Sequence, residues 1–165
     1  MTRLTARRAA LVTGASEGIG RALARELAAA GYAVTGVARD GERLRVLTES
    51  LGEGHTAFAA DLATEDGVGR VARTVRRTPF DVLVNNAGAA TAGPFAAVPL
   101  EHARAMVNLN CHALVTLAHA FLEGARPGPA TAIIAALTDS ELPQVEKYVR
   151  SAPTASAMSS SACAR

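Results

Sequence analysis

Short apolar segments alternate with longer amphipathic segments along most of the chain. In the longer segments apolar residues recur at three- and four-residue steps, as Leu44, Leu47 and Leu51 do, which is typical of helices with one buried face. The pattern predicts strands at 8–13, 33–38, 56–60, 80–85 and 131–137, and helices at 18–30, 42–51, 65–77 and 101–122. Because strands and helices alternate, we expect an α/β fold of the Rossmann type, with a doubly wound parallel sheet of about five strands.

The last predicted helix, at 101–122, carries apolar residues nearly all round, so we expect it to be buried between the sheet and something else. Beyond residue 137 the pattern fades, and residues 151–165 are mostly serine and alanine. We therefore expect one folded domain at 1–137 and a divergent, poorly ordered tail at 138–165.

Length and charge narrow the range of functions. With 165 residues the chain is short for an enzyme of two domains, at about 100–200 residues per domain. A net charge of +2 is too small to predict a nucleic acid or an anionic membrane as partner. The apolar stretch at 113–122 is too short to span a bilayer. Two cysteines, Cys111 and Cys163, cannot form a disulfide framework, so we expect a cytoplasmic protein.

The first candidate site follows the first strand, where the sequence reads Thr13-Gly14-Ala15-Ser16-Glu17-Gly18-Ile19-Gly20. Three glycines at this place allow a tight turn, a close approach of backbone to a pyrophosphate, and packing of the helix on the strand. Free N–H groups at the start of the helix attract phosphate charge. The alternative, a glycine-rich turn with no ligand, is disfavoured by the strand before it and the helix after it.

The spacing Thr-Gly-x-x-x-Gly-x-Gly resembles that of the short-chain dehydrogenase/reductase family. The family's Asn-Asn-Ala-Gly signature is matched by Asn85-Asn86-Ala87-Gly88 at the end of the fourth strand, and its adenine-contacting Asp is matched by Asp61, with Leu62 after it. The resemblance covers residues 9–137 and implies the strand order 3-2-1-4-5. It implies that the cofactor is bound by Thr13, Gly14, Ser16, Glu17, Gly18, Ile19, Gly20, Arg39, Asp61, Leu62, Asn86, Ala87 and Gly88.

The end of the second strand predicts which dinucleotide is bound. An acidic residue there would accept hydrogen bonds from a ribose 2′-hydroxyl and repel a 2′-phosphate, but Ala38 occupies the position. Arg39 follows, and a guanidinium matches a phosphate in charge and geometry. We expect NADP to be preferred over NAD, although Asp40 places a negative charge nearby.

The catalytic residues of the family are matched only in part. The family protonates its substrate carbonyl with a Tyr whose pKa is lowered by a Lys four residues later, and a Ser polarises the same oxygen. No Tyr-x-x-x-Lys occurs in this sequence: its tyrosines are Tyr32 and Tyr148, and its one lysine is Lys147. The resemblance places the Ser position on Thr138. It also matches Asn108 to the family's Asn that helps to hold an active-site water.

Three interpretations remain open. The chain is an NADP-dependent oxidoreductase of carbonyl or alcohol substrates whose sequence stops or shifts frame near the catalytic segment; or it is an inactive NADP-binding pseudoenzyme; or it is an interaction module. The exposed edge of the fifth strand and the apolar long helix predict self-association, as a homo-oligomer. Cys111, which we expect to pack as a small hydrophobe, shares a helix with His112 and His119, but the spacing does not predict a metal site.

Overall fold

The computed structural model describes residues 8–91, 93–124 and 132–135. Its strands are β1 (Ala9–Thr13), β2 (Ala33–Ala38), β3 (Thr56–Ala59), β4 (Val82–Asn85) and β5 (Ala132–Ala135). They form one parallel sheet with the order β3-β2-β1-β4-β5, which confirms the predicted fold and topology. β4 begins two residues later than predicted because the N–H of Phe80 donates to the carbonyl of Thr78 within a turn, at 2.8 Å.

The helices also follow the sequence pattern closely. They are α1 (Gly18–Ala29), α2 (Gly41–Leu51), α3 (Glu65–Arg77), α4 (Leu100–Val107) and α5 (Leu114–Gly124), with a π-helical segment, Asn108–Ala113, between the last two and a 3₁₀ turn at Phe95–Ala97. α3 has the predicted bounds because Thr64 caps it: its hydroxyl accepts from the N–H of Gly67 at 3.1 Å.

The sheet is covered on both faces, as a doubly wound fold requires. Successive residues of β1 point to opposite faces, so Val12 packs with Leu23 of α1 and Leu44 of α2, whereas Leu11 packs with Val71 of α3 and Phe121 of α5. Burial on both faces explains why the central strands are continuous apolar runs rather than alternating ones. Because the five strands are parallel, their carboxyl ends lie together at one open edge of the sheet.

The long helix differs from the prediction in two respects. It is interrupted by the π-helical segment, whose wider turn re-aims the side chains that follow it. It is also buried on the sheet side alone, where α5 packs against α3. Four apolar residues of its outer face are 57–64% exposed: Leu100, Val107, Val115 and Leu122. The expectation that Cys111 is packed as a hydrophobe is wrong, because its thiol is exposed on this helix.

Length and composition alone would allow the continuous helical run Leu100–Gly124, of 25 residues, to cross a membrane. Its most apolar window has a mean hydropathy of 1.3 and is 22% buried. Core helices of soluble proteins meet the same criteria, so length and composition do not assign this helix to a membrane. The predicted tail at 138–165 lies outside the described residues.

Candidate functional site

The open edge of the sheet holds a cavity of about 370 Å³, bordered by the loops that follow β1, β2, β3 and β4. Parallel α/β sheets bind ligands at this edge, where the strand order reverses on either side of β1. Nine of the residues predicted to bind a cofactor line this cavity: Gly14, Ser16, Glu17, Arg39, Asp61, Leu62, Asn86, Ala87 and Gly88. Tertiary structure thus brings together four loops that are far apart in the sequence.

A second cavity, of about 390 Å³, continues from the first on the side of β4. The two cavities share Asn86, Ala87 and Gly88, so the loop after β4 forms their common wall. The second cavity is further lined by Ile19, another predicted site residue, and by Asn110 of the π-helical segment. Each volume lies in the range of about 300–1,000 Å³ that is usual for small-molecule sites.

The glycine-rich loop is locked to the loop after β4. Gly14 has a φ of +67°, and a Cβ atom at this residue would lie 2.7 Å from the Asn86 side-chain nitrogen. A Cβ atom at Gly20 would lie 2.3 Å from the Gly14 carbonyl oxygen, so α1 also approaches the loop too closely for any side chain. Both glycines are therefore required by packing within the protein, in addition to any ligand.

Thr13 joins the same two loops from inside the core. Its hydroxyl donates to the Val84 carbonyl at 3.2 Å and accepts from the N–H groups of Asn86 at 2.9 Å and Ala87 at 3.0 Å. Thr13 is 1% exposed, and these three bonds use the full hydrogen-bonding capacity of a hydroxyl. Thr13 therefore supports the cavity from behind and does not line it.

The start of α1 differs from the starts of α2 and α3. Thr64 caps α3 and Asp40 caps α2, whereas Glu17, which precedes α1, makes no side-chain capping bond. The N–H groups of the first turn of α1, beginning at the exposed Gly18, are thus left for water or a ligand. An uncapped helix start beside a cavity favours an anionic group.

Four charged residues meet at the end of β2. Arg39 and Asp40 follow the strand, and Arg43 lies in the first turn of α2. The Asp40 carboxylate accepts from the Arg43 N–H at 3.0 Å and contacts its Nε at 3.2 Å. The Nη1 of Arg43 reaches Glu17 of the glycine-rich loop at 2.7 Å. Asp40 is thus an N-cap, which explains an acidic residue next to Arg39.

The loop after β3 forms the opposite wall of the first cavity. Asp61 is exposed, and one of its carboxylate oxygens accepts from the N–H of Ala63 at 3.0 Å, which fixes the side chain in a local turn. Leu62, 3% exposed, supplies an apolar surface beside it. A carboxylate next to an apolar residue is suited to the polar edge and flat face of a planar ring.

The two predicted catalytic residues are placed differently. Asn108 begins the π-helical segment and lines neither cavity; its side-chain N–H donates to the Ala63 carbonyl at 3.3 Å and ties the long helix to the loop after β3. Thr138 lies outside the described residues. Within the described part of the chain, no group of three His, Cys, Asp or Glu side chains is arranged to hold a metal ion.

Two residues of the site, Arg43 and Asn110, carry no motif that identifies them from sequence. Asn110 pairs with the backbone of Ala89: its Oδ1 accepts from the N–H at 2.9 Å, and its Nδ2 donates to the carbonyl at 2.8 Å. For Arg43, a signal was available, because an Asp three residues earlier predicts an N-cap and places Arg43 on the first helical turn beside Arg39.

Residues 8–152 match a family model described as short chain dehydrogenase. The chain belongs to the short-chain dehydrogenase family. Serine 3-dehydrogenase of Agrobacterium fabrum is 35% identical over 115 residues, which are 68% of this chain and 46% of that protein. NADPH-dependent pterin aldehyde reductase of Arabidopsis thaliana is 40% identical over 89 residues, which are 52% of this chain and 37% of that protein.

A solved short-chain dehydrogenase from Sphingobium yanoikuyae, in complex with NADPH, has the same fold, with a TM-score of 0.67 and 35% identity. The match covers 69% of this chain and 47% of that structure. This chain of the short-chain dehydrogenase family therefore spans half or less of the length of these three relatives.

Proposed function

We propose that the two cavities bind NADP(H) and that the chain is an oxidoreductase of the short-chain type, acting on a small carbonyl or alcohol. The observation that carries the proposal is the cavity at the sheet edge, with a glycine-rich loop, an uncapped helix start and two guanidiniums along one wall. Two relatives whose descriptions name NADPH support this choice of cofactor.

The residues present fit the chemical groups of NADP(H). The start of α1, at Gly18, suits the pyrophosphate because its N–H groups are uncapped. Arg39 suits the 2′-phosphate, and Asp61 with Leu62 suits the adenine. The nicotinamide would lie in the second cavity, which continues from the first past Gly88.

NADP(H), when bound, supplies or accepts a hydride. The residues of this chain bind and orient it: Thr13 and Asn86 hold the wall shared by the two cavities. Asn108, through the Ala63 carbonyl, fixes the long helix beside the loop after β3. We propose Thr138 as the donor of a hydrogen bond to the substrate oxygen.

Nucleotide titration tests the binding step. We expect the purified chain to bind NADPH more tightly than NADH, measured by calorimetry or by the fluorescence of the reduced nicotinamide. Equal affinities, or tighter binding of NADH, would remove the assignment of NADP. A chain that binds neither NADPH nor NADH would overturn the proposed function as a whole.

A second candidate function is nucleotide binding without efficient reduction. Tyr32, a tyrosine of the described part of the chain, is 1% exposed, and the Arg8 guanidinium lies 4.2 Å from the centre of its ring. It is a core residue and is not placed to donate a proton to a substrate. The 165 residues contain no Tyr-x-x-x-Lys. General acid catalysis contributes about 10²–10⁴-fold, and we expect the rate of carbonyl reduction to fall short of the family's by that order.

Oxidation of NADPH in the presence of aldehydes, ketones and quinones distinguishes the two candidates. Slow or absent turnover by a chain that binds NADPH supports the pseudoenzyme. Robust turnover that is lost in Thr138→Ala supports a reduced catalytic site built on Thr138. Robust turnover that survives Thr138→Ala would show that the reaction depends on residues other than Thr138.

We also infer that the chain self-associates through the outer face of the long helix. Val107 and Val115 are 57% and 64% exposed, and Leu100 and Leu122 extend the same apolar face by seven residues at each end. A second copy of the chain would bury this face. Light scattering at micromolar concentration should show a dimer or larger species, and Val115→Glu should shift it toward the monomer; a wild-type monomer contradicts the inference.

We place the protein in the cytoplasm. Cys111 is a free, exposed thiol on the long helix, which suits a reducing compartment. Fractionation of the source cells, with antibody detection of the chain, tests this assignment.

A further inference from the structure

The charged cluster at the end of β2 consists of Glu17, Arg39, Asp40 and Arg43, and all four residues line the first cavity. Its two guanidiniums and two carboxylates carry no net charge together. A 2′-phosphate brings up to two negative charges to this place. As long as Arg43 stays paired with Glu17 and Asp40, Arg39 alone would have to bind the phosphate beside two carboxylates.

We propose that Arg43 is the second guanidinium of the 2′-phosphate site, and that on binding NADP(H) it exchanges the carboxylate of Glu17 for the phosphate. This inference rests on the proposed function, since it concerns the same cavity. It assigns Glu17 the opposite effect from Arg43: Glu17 lowers the preference for NADPH over NADH.

The way Arg43 is held supports this exchange. Asp40 accepts from the backbone N–H of Arg43 and contacts its Nε, so it holds the Arg43 backbone and the inner edge of the guanidinium at the start of α2. Among the described residues, the Arg43 Nη1 contacts Glu17 of the glycine-rich loop, at 2.7 Å. The planar guanidinium moves as one unit, and torsion about the aliphatic bonds of this exposed side chain can carry its Nη groups away from Glu17 while the capping bond to Asp40 keeps the Arg43 backbone in place.

The strengths of the two interactions favour the phosphate. The side chains of Arg43 and Glu17 are 60% and 74% exposed, and an ion pair so exposed is worth less than about tenfold in an equilibrium constant. A guanidinium bound to phosphate makes two charge-assisted hydrogen bonds, which are about twice as strong as neutral ones. The phosphate thus displaces Glu17 at little cost.

Arg45 provides a matched control on the same helix. It is exposed like Arg43, and it is paired with Glu42 at 2.6 Å and with Glu49, but it does not line the cavity. Arg45→Ala removes the same charge as Arg43→Ala without reaching the proposed site. Glu42→Gln is the corresponding control for Glu17→Gln.

The test measures the dissociation constants of NADPH and NADH for the full chain and these variants. We expect Arg43→Ala to raise the dissociation constant of NADPH by about tenfold or more, whereas that of NADH should change by less than about twofold. Arg43→Lys keeps the positive charge but loses the planar guanidinium that makes two hydrogen bonds to a phosphate, so the dissociation constant of NADPH should rise by about threefold. Glu17→Gln should lower the dissociation constant of NADPH by about threefold. For both control variants, the dissociation constants should stay within about twofold of the wild-type values.

Several results would overturn the inference. Equal changes for NADPH and NADH in Arg43→Ala, or no change in either, would remove Arg43 from the phosphate site. Unchanged or weaker NADPH binding in Glu17→Gln would remove the exchange. A wild-type chain that binds NADPH, with silent Arg43 variants, leaves the proposed function intact. A wild-type chain that binds neither nucleotide overturns both.

We expect circular dichroism and thermal unfolding to show the same fold for each variant as for wild type. The side chain of Arg43 is exposed, and the capping bond from its N–H to Asp40 does not involve the substituted atoms.

Discussion

The first cavity is bounded by two walls that are built in different ways. On the β1 side, Thr13, Gly14 and Asn86 are joined by partly buried hydrogen bonds and by contacts that leave no room for a Cβ atom at Gly14. On the β2 side, Arg43 reaches Glu17 of the glycine-rich loop in an ion pair whose two side chains are each more than half exposed. Packing makes the first wall rigid, whereas the second wall consists of charges that solvent screens and a ligand can rearrange.

The difference separates two tasks. The β1 wall determines whether any dinucleotide can bind, since both NADPH and NADH contain the pyrophosphate that it would face. The β2 wall determines which of the two is preferred, since they differ only in the 2′-phosphate. Substitutions in the first wall should therefore affect both nucleotides, and those in the second wall only NADPH.

The largest effect is expected from Gly14→Val. A branched side chain at a φ of +67° is strained and would overlap Asn86 and Ala87. We expect binding of NADPH and of NADH to weaken by about 100-fold or more. Gly52→Val is the control: Gly52 has a φ of +89° with open space around it, so it shares the backbone strain without touching the cavity. Normal nucleotide binding by Gly14→Val would place the phosphate loop elsewhere.

A smaller effect on both nucleotides is expected from Thr13→Val. The change keeps the shape of the side chain but leaves the N–H groups of Asn86 and Ala87 without their acceptor. Groups left without a partner in this way cost about 1–3 kcal/mol, so the midpoint of thermal unfolding should fall by about 2–12 °C. The affinities for NADPH and NADH should fall by the same factor. Thr56→Val, at an exposed position, is the control and should change neither affinity. A selective loss of NADPH would contradict the division between the two walls.

Arg39→Ala should act on the β2 wall alone. Arg39 is exposed and lines the cavity at the end of β2. Loss of one guanidinium should reduce the ratio of the NADPH affinity to the NADH affinity by about tenfold, without a change in the affinity for NADH. An unchanged ratio, measured by the same titration, would show that Arg39 does not face the phosphate.

The smallest effect is expected from Asn110→Ala, which releases the loop after β4 on the side of the second cavity. Its two bonds to Ala89 are solvent-exposed, and such bonds contribute about 0.5–1.5 kcal/mol each. The affinity for NADPH should fall by about threefold to tenfold. Adenosine 2′,5′-bisphosphate lacks the nicotinamide half, so its affinity should equal that for wild type. Equal losses for both ligands would show a general structural effect.

Much of the fold could be predicted from local patterns. The bounds of β2 and α3 agree with the periodicity, because each element carries a clear buried stripe and a clear end signal such as Thr64 or Gly31. The long helix was predicted less well. Its composition showed that it is apolar, but not that its outer face is exposed, because composition does not reveal what packs against a helix.

The sequence by itself determined the order of strands and helices, the place of the glycine-rich loop, and the family. These depend on residues close together in the chain, whose spacing is preserved in any conformation. Only the tertiary structure decided that Thr13 holds the loop that begins with Asn86, 73 residues away, and that Arg43 pairs with Glu17, 26 residues away. Such contacts form because parallel strands end at one edge of the sheet, a condition that no local pattern records.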